Sequence, residues 1–345
     1  MRQLLNTLYV TRPRAYLHLD HDTVRVEVER SLVLQAPLLQ LGSIVCFGDI
    51  MLSPALMHRC AEDGRSIVLL DTNGRFRARI EGPMSGNVLL RRAQHLALSD
   101  ESRRLEIARS MVAGKIRNAR SVLQRGARDA KTIDDQDGLN RAATFHREIL
   151  ARVETRTDVD ALRGDEGDAA RVYFDAFSGM IRENLRLTFG MTERTRRPPR
   201  DPLNAVLSFL YTLVRSECTA ALEGVGLDPQ IGFLHTLRPG RPALALDLME
   251  EFRPILADRL ALTLINRREL QEDDFETFDG GAVYLNEKGR RTVLMAYQDR
   301  KADEVEHRVL GGKSPIGLLP HLQARLLARH LRNDLPHYVP FVSRG

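Results

Sequence analysis

The segment LNAVLSFLYTLVRSECTAALE, residues 203–223, limits the possible folds more than any other part of the chain. It is mostly apolar around its whole circumference, and a helix of that kind is stable only when neighbours cover it. Its ends are marked: Asp201 and Pro202 make a cap and first-turn pair, and Gly224 and Gly226 close it. Such a helix belongs at the centre of a helical domain, and the flanking sequence supplies the partners. SDESRRLEIARSMVAGKIRNARSVLQR, residues 99–125, starts acidic, ends basic and repeats apolar residues at helical spacing. Further helical stretches follow at 137–154 and, after Gly164, at 165–181.

The first 90 residues obey a different period. TVRVEVE (23–29) alternates apolar and charged residues as a half-buried strand must, and SIVCF (43–47) and SIVLL (66–70) suit buried strands. Ser53, Pro54 and Gly64 bracket a short helix over SPALMHRCAED, and Asn73-Gly74 between IVLLDT and RFRARI signals a hairpin. The expected fold is α+β multidomain: a small β-rich domain with one short helix over 1–90, and an all-α domain over 91–345.

Of the 345 residues, 43% are hydrophobic and 28% charged, which describes a soluble globular protein. No apolar run reaches the roughly 20 residues needed to span a bilayer, and the N-terminus has no signal-peptide pattern. Cys46, Cys60 and Cys218 are scattered and odd in number. That excludes a disulfide framework or a thiolate zinc cage and fits a reducing cytoplasm. Only five of the 51 basic residues are lysine. Arginine grips phosphate through a planar fork of donors, although a GC-rich genome produces the same bias and the net charge of +5 supports nucleic-acid binding only weakly. Candidate DNA contacts are Arg194, Arg196, Arg197 and Arg200 in the loop TERTRRPPRDP, and Lys288, Arg290 and Arg291 near residue 290.

Two segments carry ligand-type side chains. In GFLHTLRPGRPALALDLMEEFRP (232–254), His235 precedes a proline- and glycine-bearing turn, and Asp247, Glu250 and Glu251 follow on helical sequence. At spacings of three and four these carboxylates are expected on one helix face, beside an apolar stripe of Leu244, Leu248 and Phe252. Half-buried like charges need a cation, from Arg253 or from a bound metal. In LRGDEGDAARVYF (162–174), Glu166 stands between two glycines at an expected helix start, where Asp165 already favours the dipole. An exposed acidic turn and a loop histidine are the plain alternative. Glu166, His235 and Glu250 together offer oxygen-rich ligation with one nitrogen, which suits Mg²⁺ or Mn²⁺. Such an ion can polarise a phosphodiester and activate a hydroxyl or water. Asp247 is a candidate support for a ligand or holder of a second ion.

At these residues the chain resembles the CRISPR-associated adaptation endonuclease/integrase family, protein one of the CRISPR-associated set. The resemblance runs through LLNTLYVTRPRAYLHLD, NGRF, SGNVLLRRAQ, LRGDEGDAARVYF, LNAVLSFLYTLV, GFLHTLRPGRPALALDLMEEFRP and LINR, in order, and its N-terminal wording is most like subtype I-C. It implies an N-terminal dimerisation domain and a helical catalytic domain with one divalent-metal site. Its glutamate falls on Glu166, its histidine on His235 and its last acidic ligand on Glu250, with Asp247 a further acidic position. It also implies double-stranded DNA substrates (a prespacer and a CRISPR repeat) and a homodimer. The further partner is a small ferredoxin-like protein, protein two of the set, bridging two dimers. Two other readings stand beside it: a standalone repair nuclease acting on branched DNA, and a non-catalytic DNA-binding scaffold.

Overall fold

A computed structural model describes residues 6–72, 76–82, 88–195 and 197–343. The chain divides into two compact units, Met1–Ser85 and Gly86–Gly345. The division falls before residue 90 because the first helix of the second unit already starts at Val88.

The N-terminal unit contains β1 (Asn6–Val10), β2 (Tyr16–Asp20), β3 (Thr23–Val28), β4 (Ser31–Pro37), β5 (Leu41–Phe47), β6 (Met51–Leu52), α1 (Pro54–Glu62), β7 (Ser66–Leu70) and β8 (Phe76–Ile80). They form two four-stranded sheets, ordered β4-β3-β2-β6 and β1-β5-β7-β8. Antiparallel pairing sets Leu17 opposite Val26 and Leu19 opposite Val24. The period-two alternation thereby sends Leu17, Val24 and Val26 into one core with Ile44, Cys46, Leu56, Cys60 and Ile67. Ser53 Oγ accepts the N–H of Leu56 at 3.2 Å, so the expected cap starts α1. β7 and β8 pair antiparallel, while Asn73 and Gly74 lie outside the described residues.

The second unit is built on α2 (Val88–Ser99), α3 (Glu101–Asp129), α4 (Ile133–Thr155), α5 (Val159–Asp175), α6 (Arg186–Phe189), α7 (Pro202–Val225), α8 (Ala243–Met249), α9 (Arg259–Asn266), α10 (Glu287–Ala302) and α11 (Leu319–Leu331). The apolar segment forms α7. Asp201 caps it through the N–H of Asn204 at 2.8 Å, and Gly226 ends it at φ +87°. α8, α11 and a π-helical stretch at Arg253–Asp258 pack on it. By length and composition alone α7 could cross a membrane, contrary to the expectation that no apolar run approaches that length. More than half of its apolar window is buried inside the unit, which is how a core helix passes the same test.

Two other expectations are corrected. The second unit is not all-α: it carries β9 (Phe275–Phe278) paired with β10 (Ala282–Leu285), and β11 (Glu304–Glu306) paired with β12 (Lys313–Pro315). Gly280 and Gly281, at φ +84° and +76°, let the first hairpin turn, and Val283 N–H donates to Pro199 O at 2.9 Å to hold it. Nor does Gly164 start a helix. Asp158 caps α5 through the N–H of Ala161 at 2.7 Å, and both Gly164 and Gly167 lie within it. Packing of α5 on α3 and α4 overrides a glycine penalty of about 1 kcal/mol each.

Candidate active site

The site grows from one fully buried carboxylate. Asp247 on α8 accepts the backbone N–H groups of Phe233, Leu234 and His235 at 2.6, 3.0 and 2.9 Å, and its Oδ1 lies 2.6 Å from His235 Nδ1. The loop can wrap this closely only because residue 232 is glycine. A Cβ there would sit 2.6 Å from Asp247 Oδ2 and 2.6 Å from the Ala243 carbonyl carbon. The loop is also fastened from outside: Arg104 on α3 donates to Phe233 O at 3.1 Å, and Arg163 on α5 to Leu234 O at 2.6 Å. With a proton on Nδ1 facing Asp247, His235 keeps Nε2 as its basic nitrogen. The structure therefore gives Asp247 an orienting task that uses both of its oxygens.

Beyond α8 the expected single acidic face breaks up. Glu250, Glu251 and Phe252 donate their N–H groups to carbonyls three residues back, the tighter 3₁₀ pattern, so successive side chains fan out faster than on an α-helix. Glu250 turns to one side, where Arg253 meets Oε1 at 2.6 Å and Lys115 Nζ lies 2.6 Å from Oε2. Lys115, on α3, also pairs with Glu166 on α5. Thus Glu166 and Glu250, 84 residues apart in sequence, converge on one ammonium. Burial alone would raise the Glu250 pKa; Arg253, then Lys115, reverse this and hold it well below the usual carboxylate range. Arg253 lies 4.1 Å from the Tyr211 ring centroid. Tyr211 and Tyr173 donate their hydroxyls to Asp258 at 2.6 and 3.0 Å. Burial pushes Asp258 up to about 6 despite those hydrogen bonds.

Asp165, expected to favour the helix dipole, is instead buried against Arg156 (2.6 and 2.9 Å) and Arg152 (3.0 Å). The Arg156 hydrogen bonds hold its carboxyl below the ordinary range despite burial. These ties anchor the middle of α5, and Glu166 follows at the next position with a partly exposed carboxylate. Among the described residues, no three His, Cys, Asp or Glu side chains stand together as a ready-made metal cage. Glu166 and Glu250 meet across Lys115, and His235 is turned by its Nδ1 toward Asp247.

Lys115 is the member that sequence reasoning missed. Its signal was a single lysine inside the apolar run of α3, between buried Met111 and Val112 on one side and Ile116 and Ala119 on the other. Glu251 has a different fate. It turns away, accepting the Tyr338 hydroxyl, Gln323 Nε2 at 2.9 Å and the N–H of Phe341 at 2.7 Å.

The candidate DNA contacts scatter. Arg194 points inward, donating to Asn204 Oδ1 at 2.5 Å and Ser208 Oγ at 3.2 Å, because α7 and Tyr211 offer it a half-buried polar seat. Lys288 is tied to Asp273 and Asp274 at 3.0 and 3.1 Å, and Arg290 donates to Leu285 O at 2.8 Å. Arg197, Arg200 and Arg291 are exposed, and Arg196 lies outside the described residues.

Comparison with known proteins settles the family. The model of CRISPR associated protein Cas1 matches residues 8–299. A CRISPR-associated endonuclease Cas1 from Moorella thermoacetica is 56% identical over 344 residues, covering 100% of both chains. The chain belongs to the Cas1 family. Its fold is shared with a casposase bound to integration product (TM-score 0.82, 22% identity, 97% of this chain and 92% of that one). It is also shared with a chain of a Cas6-RT-Cas1–Cas2 complex (TM-score 0.84, 22% identity, 100% of this chain and 37% of that one). Membership makes the chain a CRISPR-associated endonuclease, and the standalone repair nuclease and the inert scaffold are not favoured.

Proposed function

We propose that this Cas1-family chain joins the 3′ ends of captured DNA fragments to a CRISPR repeat by metal-dependent transesterification at Glu166, His235 and Glu250. The observation that carries this reading is the convergence of the Glu166 and Glu250 carboxylates on one cationic centre. Lys115 Nζ stands in for a cation there, and two carboxylates with a neutral imidazole make a donor set that fits Mg²⁺ or Mn²⁺. Glu166, Glu250 and Nε2 of His235 would hold the ion. When bound, it supplies charge stabilisation at the phosphate and activation of the attacking oxygen.

The chain's own groups do the positioning. Asp247 keeps His235 in the Nδ1-protonated form. Arg253, stacked on Tyr211, keeps Glu250 ionised and aimed. In the reaction a fragment 3′-oxygen forms a bond to the repeat-boundary phosphorus while the bond to the repeat's own 3′-oxygen breaks and that oxygen takes up a proton. Water in place of the 3′-hydroxyl gives strand cleavage.

Partners follow the same reading. β4 lies at a sheet edge with Leu32, Val33 and Leu34 exposed, a surface suited to a second copy of this chain. A small ferredoxin-like Cas2 bridging two such dimers, a cytoplasmic setting with its three free cysteines reduced, and membership of subtype I-C complete the proposal. Exposed Arg197, Arg200 and Arg291 are the remaining candidates for gripping DNA.

The test combines the chain, Cas2, a prespacer and a repeat-bearing plasmid with Mn²⁺ or Mg²⁺. Glu166→Ala and His235→Ala should each abolish joining while leaving the fold intact by circular dichroism. Wild-type joining by either variant overturns the assignment.

A further inference from the structure

We propose that Lys115 is a placeholder cation. Its ammonium bridges Glu166 and Glu250 in the metal-free protein and must release at least one of them before a divalent ion is held there. The inference rests on the reading that Glu166, His235 and Glu250 bind that ion, and it adds a competitor that sets the affinity.

The argument begins with residue type. Arginine supplies nearly all the positive charge of this chain, yet α3 carries a lysine where the Glu166 and Glu250 carboxylates of other elements meet. An ammonium is a compact point charge on a flexible four-carbon stem, which can pivot away; a guanidinium fork would lock onto one carboxylate. Lys115 is almost fully buried, so its charge is little screened by water. Glu250 already has Arg253 on its other oxygen. Lys115 is therefore not needed to keep Glu250 company, but it is what draws Glu166 toward Glu250.

The same oxygens cannot serve an ammonium and a doubly charged ion a few ångströms apart without strong repulsion. The displaced stem has somewhere to go, because Lys115 also lines a small cavity with Ala169, Ala170, Tyr173, Tyr211 and Arg253. The arrangement preorganises the two carboxylates without a metal, at a cost in metal affinity.

The test measures Mn²⁺ binding to the full chain without DNA, following the free-ion signal by electron paramagnetic resonance, and thermal melting in EDTA against Mn²⁺. Lys115→Met should bind Mn²⁺ at least about fivefold more tightly than wild type. It should melt lower than wild type in EDTA and gain more from Mn²⁺, since at a given concentration a ligand stabilises more the more tightly it binds the native state. Lys115→Gln keeps donors for both carboxylates and should show the same direction, which keeps the proposal testable if the methionine variant folds poorly. Binding equal to or weaker than wild type in both variants overturns the proposal. Adding Glu166→Gln to either variant should remove the tight binding. If it does not, or if no form of the chain binds Mn²⁺ saturably, the metal reading itself falls and the placeholder with it.

Discussion

Glu250 and Glu251 are neighbours in sequence, both buried, and yet they serve opposite sides of the same turn. Glu250 meets two cations, Arg253 and Lys115, and stays ionised. Among the described residues Glu251 meets only neutral donors, from Tyr338, Gln323 and the Phe341 backbone, and burial pushes it up to about 7. The first faces the proposed metal site. The second stitches the C-terminal segment to α3, where Asn118 donates to both Glu251 O and Phe341 O at 2.8 and 2.9 Å. Burial of an acid does not decide whether it is ionised; the charge of its company does.

The sharpest way to break this contrast is to neutralise each acid in turn. Glu250→Gln should lower joining by about 10²-fold or more, in line with removing one group that stabilises a developing charge. Glu251→Gln should leave joining within about tenfold of wild type and cost about 1–3 kcal/mol of stability, as unpaired buried donors do. Joining rates and urea denaturation read the two effects separately. If Glu251→Gln abolishes joining at unchanged stability, the division of labour is wrong.

A smaller effect is expected from Asp247→Asn, which disturbs the proton position on His235 without removing a proposed ligand. Losses of this kind run to about 10–100-fold in metal affinity or activity. Mn²⁺ titration should show weakened binding with the fold retained, and unchanged binding would make Asp247 merely structural.

The smallest effect is a pH slope on the Glu250 side. Burial raises Asp258 from 3.8 to about 6, so the folded state holds that proton more tightly than the unfolded chain. Its contribution is fully present below about pH 4 and is lost as pH rises through 6. Asp165, lowered by Arg156, works in the other direction: its contribution is present above its ordinary value and is lost as pH falls. Asp258→Asn should flatten the stability profile between pH 4 and 6.5 and leave the acid limb in place. Parallel profiles for wild type and variant would remove Asp258 from the account.

Much of this was legible where local rules dominate. Asp201-Pro202 and Gly226 delimit α7, and Ser53-Pro54 starts α1, because caps depend on a few adjacent atoms. The alternation of β3 reports its buried face directly. Gly164 misled because its preference is worth less than the packing of α5 on two neighbours. The hairpin at 275–285 was hidden because its strands are short and its cover comes from elsewhere in the chain. Lys115 and the divergence of Glu250 from Glu251 are tertiary facts: the first needs α3 against α5, the second a switch from α to 3₁₀ hydrogen bonding after Met249.

The most direct measurement is an anomalous-scattering map from crystals of the chain soaked in Mn²⁺. The account predicts one strong peak touching the carboxylates of Glu166 and Glu250 and Nε2 of His235, with the Lys115 ammonium drawn away from at least one of those acids. A map with no peak there, and Lys115 still bridging both glutamates, would contradict it.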